Sequence, residues 1–358
     1  MKSKKRILFT GGGTAGHVIV NLALIPIYQK AGWEIDYIGS YDGIERKLIE
    51  NLEDVTYYPI STGKLRRYMS VENFKDPFKV LKGTFQAASI IGKRKPAVIF
   101  SKGGFVSVPV VLAAKLRRVP AVIHESDYTP GLANKLSIPF AKKVLATFEE
   151  TMNFLPEQKR EHVGAIIREE LFTGNKEKGL TYTGLSGKKP VLLIMGGSGG
   201  SEKINGTIRS VLPELLKQFD IIHICGEGKV DSSVKQEGYA QFEYINEELK
   251  DIFAAADYVL SRAGSNAIFE FLALRIPMLL IPLSLEASRG DQIVNANSFA
   301  EKGYARVLEE EHLTEASLIE ELQQLIKASP VIIDKMKTFE ASASRDRAIE
   351  IIEAEIKK

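Results

Sequence analysis

Ile7-Leu8-Phe9-Thr10-Gly11-Gly12-Gly13-Thr14-Ala15-Gly16-His17 and Val191-Leu192-Leu193-Ile194-Met195-Gly196-Gly197-Ser198-Gly199-Gly200 are built alike: an apolar run breaks into glycines and a helical stretch follows. A short run apolar at every position is a strand buried on both faces, and glycines at its end allow a tight turn into a helix. The same alternation extends outward from both stretches. Strands are expected over residues 6–10, 34–38, 97–101, 121–124 and 143–147, then over 191–195, 221–225, 258–261, 278–281 and 305–308. Helices fit between them, for example over 18–31, 204–217 and 266–274. The economical architecture is α/β, with two Rossmann-like domains whose parallel sheets face a cleft.

A chain of 358 residues suits two such domains. The strand series restarts at Lys188, and the charged, glycine-bearing stretch 156–185 reads as a junction. The expected division is a first Rossmann-like domain over 1–163 and a second over 164–339, with a terminal helix at about 340–358 packing back on the first. Hydrophobic residues make up 44% and charged residues 26%, enough for two cores and a solvated surface. The single cysteine, Cys225, lies in an apolar run and is expected to be a packed strand residue. No disulfide can form within the chain, which suits a reducing cytoplasm. Only Ile7-Leu8-Phe9 separates the basic start from the glycines, too little for a signal-peptide core. No apolar run approaches the ~18 residues of a membrane span. The chain is therefore expected neither to cross a membrane nor to be exported.

The net charge of +3 is unevenly spread: residues 62–118 hold thirteen Lys/Arg against two acids, Glu72 and Asp76. A basic segment of this kind points to an anionic surface, either lipid or nucleic acid. Lys64-Leu65-Arg66-Arg67-Tyr68, Phe74-Lys75 and Phe78-Lys79-Val80-Leu81-Lys82 interleave cations with apolar residues, as in a peripheral membrane face. No recognition helix or stacking platform argues for nucleic acid.

Gly11, Gly13 and Gly16 satisfy G-x-G-x-x-G between a strand and a helix, so a dinucleotide remains possible on local pattern. The acid at the right spacing, Asp36, sits inside its strand rather than at the end. A third loop, Ser101-Lys102-Gly103-Gly104-Phe105-Val106-Ser107, lies on the same rim as the first. Two such loops could together cradle the diphosphate of a second substrate. In the second half, Ser261-Arg262-Ala263-Gly264-Ser265-Asn266-Ala267-Ile268-Phe269-Glu270 ends a strand and opens a helix whose free N–H groups suit a nucleotide phosphate. Glu270 is either a ribose acceptor or an exposed glutamate favoured by the helix dipole. Gln292 can both donate and accept, as sugar hydroxyls require. No Asp-x-Asp occurs and no His/Cys/acid group has ligand spacing. No tightly bound cofactor or metal is therefore expected, only Mg2+ loosely associated with a nucleotide diphosphate.

Gly12-Gly13-Thr14-Ala15-Gly16-His17, Gly103-Gly104-Phe105-Val106-Ser107, His124-Glu125-Ser126-Asp127 with Gly131-Leu132-Ala133-Asn134-Lys135, Gly196-Gly197-Ser198, and Arg262-Ala263-Gly264-Ser265 with Glu270 recur in the same order in one family. The chain resembles, over essentially its whole length, the MurG family of GT-B glycosyltransferases, which add N-acetylglucosamine to lipid I and yield lipid II for peptidoglycan. The resemblance implies inverting transfer from UDP-N-acetylglucosamine to the muramic C4 hydroxyl of lipid I, at the cytoplasmic face of the membrane. It implies donor contacts from Arg168, Ser198, Ile245, Ser265, Asn266, Ala267, Glu270 and Gln292, with Ile245 reading uracil through its backbone. Thr14, Ala15, Gly16 and Asp127 would approach the sugar, and Gly13, Gly103, Gly104, Ser107 and Asn134 the acceptor diphosphate. Four places depart from the usual pattern. Ala15 replaces a glycine and Asp127 an asparagine, Gly164-Ala165-Ile166-Ile167 precedes Arg168, and Gly199-Gly200-Ser201 follows Ser198.

Inversion needs one base at the acceptor hydroxyl. His17 is the leading candidate, its alternatives being a helix cap or a phosphate ligand, and Glu125 or Asp127 comes next. Two other readings stay open at this level: a related enzyme glycosylating diacylglycerol, and a weakly active UDP-sugar-binding regulator.

Overall fold

The computed structural model describes residues 4–63, 71–197, 199–340 and 342–357. The chain divides into two compact units, Met1–Arg168 with Ala341–Lys358, and Glu169–Glu340. The first boundary falls at Arg168, five residues beyond the expected 163.

The first unit runs β1 (Arg6–Thr10), α1 (Gly16–Lys30), β2 (Glu34–Ser40), α2 (Ile44–Ile49), β3 (Val55–Ile60), α3 (Val71–Arg94), β4 (Val98–Ser101), α4 (Ser107–Leu116), β5 (Ala121–Glu125), α5 (Leu132–Ser137), β6 (Lys143–Ala146) and β7 (Arg160–His162). Its seven strands are parallel, in the order β3-β2-β1-β4-β5-β6-β7. Alternate residues of each central strand feed two cores. Ile7, Phe9, Val98, Phe100 and Val122 pack with α1, while Leu8, Ile99 and Ile123 pack with Ala87, Ile91, Val110 and Val111. That two-sided burial explains why these runs are apolar at every position.

The second unit runs α6 (Lys176–Thr183), β8 (Val191–Met195), α7 (Glu202–Ser210), α8 (Leu212–Leu215), β9 (Asp220–Ile224), β10 (Tyr239–Phe242), α9 (Leu249–Ala255), β11 (Tyr258–Ser261), α10 (Ser265–Leu274), β12 (Met278–Leu280), α11 (Asp291–Glu301), β13 (Ala305–Val307) and α12 (Glu315–Met336). Its sheet is also parallel, ordered β10-β9-β8-β11-β12-β13. The single helix expected over 204–217 is broken between α7 and α8, where Pro213 supplies no N–H and starts a new turn. The stretch read as a junction holds β7 and α6.

The chain then returns to the first unit as α13 (Ser342–Ala354), whose Ala348, Ile351 and Ile352 join the core around Ile7 and Phe9. Among the described residues, no helix is long and apolar enough to cross a membrane.

Candidate functional site

Strand order reverses between β1 and β4 in the first unit, and between β8 and β11 in the second. At such a reversal the two flanking loops lead to opposite faces of the sheet and leave a crevice beyond the strand ends. The glycine loops lie at these points.

In the first unit the two loops interlock. Lys102 N–H donates to Thr10 C=O (2.9 Å) and Gly12 N–H to Gly103 C=O (3.3 Å). Gly104 has φ +80°, and a β-carbon there would lie 2.1 Å from the Gly12 oxygen. Only glycine permits both that conformation and that approach. His17, in the first turn of α1, has Nδ1 3.1 Å from the Gly12 oxygen and 3.1 Å from Thr14 Oγ1. A carbonyl only accepts, so Nδ1 carries the proton and Nε2 keeps its lone pair. Burial, and then the Lys102 charge, lowers the His17 pKa to about 4, against the opposing pull of Asp127, the Gly12 carbonyl and Glu45. The imidazole is neutral at pH 7 and can accept a proton through Nε2.

Glu45 was not marked by any sequence motif, yet it shapes this loop. Its Oε2 accepts from Gly13 N–H (3.0 Å) and its Oε1 from Ser40 N–H (2.9 Å). The carboxylate fits because residues 12 and 43 are glycines: a β-carbon at Gly12 would lie 2.4 Å from its Cδ, and one at Gly43 2.2 Å from its oxygens. Gly13, expected to meet the acceptor diphosphate, therefore spends its N–H on Glu45. Ser107 donates its buried hydroxyl to Gly103 C=O (2.8 Å). Asn134 spends its Nδ2 on His124 C=O (3.0 Å) and Glu125 Oε2 (2.9 Å). Of the five expected diphosphate groups, these three hold the loops in shape.

Glu125 is itself a brace. Besides Asn134, its oxygens accept from Asp127 N–H (3.0 Å) and Gly131 N–H (2.9 Å), tying the end of β5 to the start of α5. Burial raises its pKa, helped by Asp127 and opposed by Lys102 and the hydrogen bonds. Lys102, also unmarked by the sequence, is only 2% exposed and donates to Ser126 Oγ at 2.7 Å. Thr14 is exposed, while Ala15, Gly16, Asp127 and Arg168 are half-buried. Asp36, the acid with dinucleotide spacing, is fully buried in β2. It binds Arg94 through Nε (2.9 Å) and Nη2 (2.8 Å), so it holds the fold and not a ribose.

In the second unit, α10 begins after Gly264 with no side chain capping it. Ser265 and Glu270 are buried and Asn266 and Ala267 half-buried. Burial of Glu270 removes the exposed-glutamate reading. Gln292, at the start of α11, accepts at Oε1 from Leu283 N–H (3.1 Å) and Ala263 N–H (3.3 Å). Its carbonyl positions two loops and its NH2 end is the one suited to a sugar hydroxyl. Arg262 clips the same region together. It donates to Ser201 Oγ (2.8 Å) and Ile281 C=O (3.1 Å) and pairs with Glu310, a residue the motifs did not reveal. Ile245 is buried just beyond β10. Ser198 lies outside the described residues.

Comparison with known proteins bears on this geometry. Residues 7–146 match the glycosyltransferase family 28 N-terminal domain and residues 191–351 its C-terminal domain. A protein of Oceanobacillus iheyensis is 72% identical over 99% of both chains, and one of Staphylococcus aureus is 56% identical over 95% of this chain and 96% of its own. Both bear the name UDP-N-acetylglucosamine–N-acetylmuramyl-(pentapeptide) pyrophosphoryl-undecaprenol N-acetylglucosamine transferase. Among solved structures, MurG of Acinetobacter baumannii superposes with a TM-score of 0.76 at 23% identity, covering 98% of this chain and 99% of that one. The glycosyltransferase of kitacinnamycin reaches 0.75 at 16% identity, covering 99% of each chain. At these identities the structural likeness concerns the two-domain GT-B fold.

Proposed function

The chain belongs to glycosyltransferase family 28, and from that premise we propose that it transfers N-acetylglucosamine from UDP-N-acetylglucosamine to lipid I, forming lipid II with inversion. What carries the reading is the match, over nearly the whole length of both chains, to relatives named for this transfer. It does not favour the diacylglycerol and regulator alternatives.

In the reaction, the muramic C4 oxygen bonds to the anomeric carbon as that carbon's bond to the UDP β-phosphate oxygen breaks. The hydroxyl proton passes to a base, and UDP leaves with the bonding electrons. The neutral His17, its Nδ1–H held by Gly12, presents Nε2 as that base, whereas Glu125 is occupied by three donors. The uncapped start of α10 stabilises the departing phosphate and Glu270 takes the ribose hydroxyls. The Gln292 NH2 donates to the sugar. Family resemblance also assigns Asp127 and Arg168 to the donor, and any Mg2+ would accompany the UDP diphosphate.

The acceptor's lipid carrier calls for a membrane-facing surface, and features of the first unit support that reading. An apolar groove of about 470 Å3 is lined by Val80 and Leu81 of α3, Phe105 of the acceptor loop, Leu112 and Leu116 of α4, and Phe140. Leu116 is 66% exposed there, and α3 also carries Phe78 (74% exposed) and Phe85 (64%). Exposed Lys82 lies on α3, Lys115 at the end of α4, Arg117 and Arg118 just beyond it, and Lys135 on α5. An apolar patch with a basic rim suits the anionic cytoplasmic leaflet. Lys64–Tyr68 and the side chains of Phe74 and Lys75 lie outside the described residues.

UDP release measured with a soluble lipid I analogue and, separately, with diacylglycerol tests the proposal. Turnover with the first alone is expected. Turnover with diacylglycerol, or with neither despite UDP binding, overturns it.

A further inference from the structure

We propose that Lys102 is a positioning residue for the transfer. Its buried ammonium, fixed to Ser126 beneath both glycine loops, is the counter-charge that lets the Glu125 carboxylate brace the β5–α5 loop and leaves His17 free to take the acceptor's proton. The clause about His17 rests on the proposed function above.

Lys102 stands one residue past the end of β4, where its N–H prolongs the β1–β4 pairing by one bond to Thr10. Its side chain runs under the first loop: a β-carbon at Gly11 would come within 3.1 Å of Lys102 Cβ. The chain ends at Ser126 Oγ, itself buried. An unbranched apolar residue would fill this path without the desolvation that burying an ammonium requires. The charge therefore has work to do beyond packing.

The groups around it show what that is. Glu125 and Asp127 pull the Lys102 pKa up against burial, and Lys102 in turn pushes His17 and His124 down and helps to keep Glu125 ionised. His17 faces Asp127 and Glu45 as well, both of which raise its pKa. Without the ammonium, only burial would oppose the two carboxylates that act on His17, and the charge that lowers the Glu125 pKa against Asp127 would be lost. Both groups would then hold protons at higher pH. Asp127 and the buried ammonium act on His17 in opposite senses, and Asp127 also raises the Lys102 pKa.

The test compares wild type, Lys102→Met, Asp127→Asn and the double variant by two readouts: NMR titration of the His17 ring, and the pH profile of kcat/KM with a lipid I analogue. Lys102→Met is expected to move the His17 titration and the acidic limb of the profile upward by about one pH unit or more. Asp127→Asn should move both downward, and the double variant should return them toward wild type. The first unit, which contains Lys102, should keep its cooperative urea transition in Lys102→Met, which verifies folding, and UDP affinity measured by calorimetry should stay unchanged. An unmoved His17 titration in Lys102→Met, or a loss of rate uniform across pH, overturns the proposal. Failure of His17 as the base would show differently, as full turnover in His17→Ala with the titration shift in Lys102→Met intact.

Discussion

At Gly104 there is no room for a β-carbon: it would meet the Gly12 oxygen at 2.1 Å, and the backbone sits at φ +80°. Gly104→Ala must therefore push the two glycine loops apart. The expected cost is about 1–3 kcal/mol of stability, with kcat for lipid I falling while UDP affinity is kept. Retention of wild-type kcat would show that the loops need not interlock. His17→Ala should lower kcat more than tenfold, since general-base catalysis typically contributes about 100-fold or more, again with UDP binding preserved in calorimetry. Near-wild-type turnover would remove His17 from the chemistry. The histidine was legible in the sequence because it follows a glycine loop. Glu45 and Lys102 were not, because each acquires its role from a partner on another element: Glu45 from Gly13, and Lys102 from Ser126.

Among the elements, the central strands were plain in the sequence and three edge strands were not. β3, β7 and β10 each have a neighbour on one side only, and most of their residues are half-buried. Half-buried edge positions accept polar residues, so Arg160-Glu161-His162 and Tyr239-Ala240-Gln241-Phe242 carry no continuous apolar signal. The exposed face of α3 belongs at this scale too. Replacing Phe78 and Phe85 with serine should reduce co-sedimentation with anionic vesicles severalfold, given the ~25 cal/mol per Å2 of apolar surface removed from contact. Turnover on a soluble acceptor analogue should remain. Undiminished vesicle binding at low salt would place the membrane contact elsewhere.

For the whole molecule, the return of α13 makes the first unit depend on the end of the chain. Burial of Ala348, Ile351 and Ile352 contributes on the order of 4 kcal/mol by area. A chain stopped at residue 341 should lose the first unit's cooperative unfolding transition while the second still binds UDP. An unchanged urea profile would contradict the packing role of α13. Acid should also destabilise the fold. Burial lowers the pKa of His124 well below 6.5 and that of His223 to about 3, so both stay neutral in the folded chain. Below pH 6.5 the unfolded chain takes up protons that the folded one refuses. Stability then falls with pH by up to about 1.4 kcal/mol per unit for each histidine, and for His223 the loss continues down to about pH 3. Urea midpoints at pH 7.5 and pH 5 check this. Equal midpoints would mean that these rings are protonated within the fold.

The sequence by itself determined the parallel α/β alternation, the two halves opened by glycine loops, and the order of motifs that marks the family. Those features are written in neighbouring residues: continuous apolarity where a strand is covered on both faces, and glycine where the backbone must turn sharply. Only the tertiary structure decided which polar groups are free for chemistry. Asp36 meets Arg94, Glu125 gathers three donors, and the Gln292 carbonyl binds two backbone N–H groups. A hydrogen bond is made or lost within a few tenths of an ångström, and a buried group's charge state sums contributions from several elements at once. Neither quantity is carried by the spacing of residues along a chain.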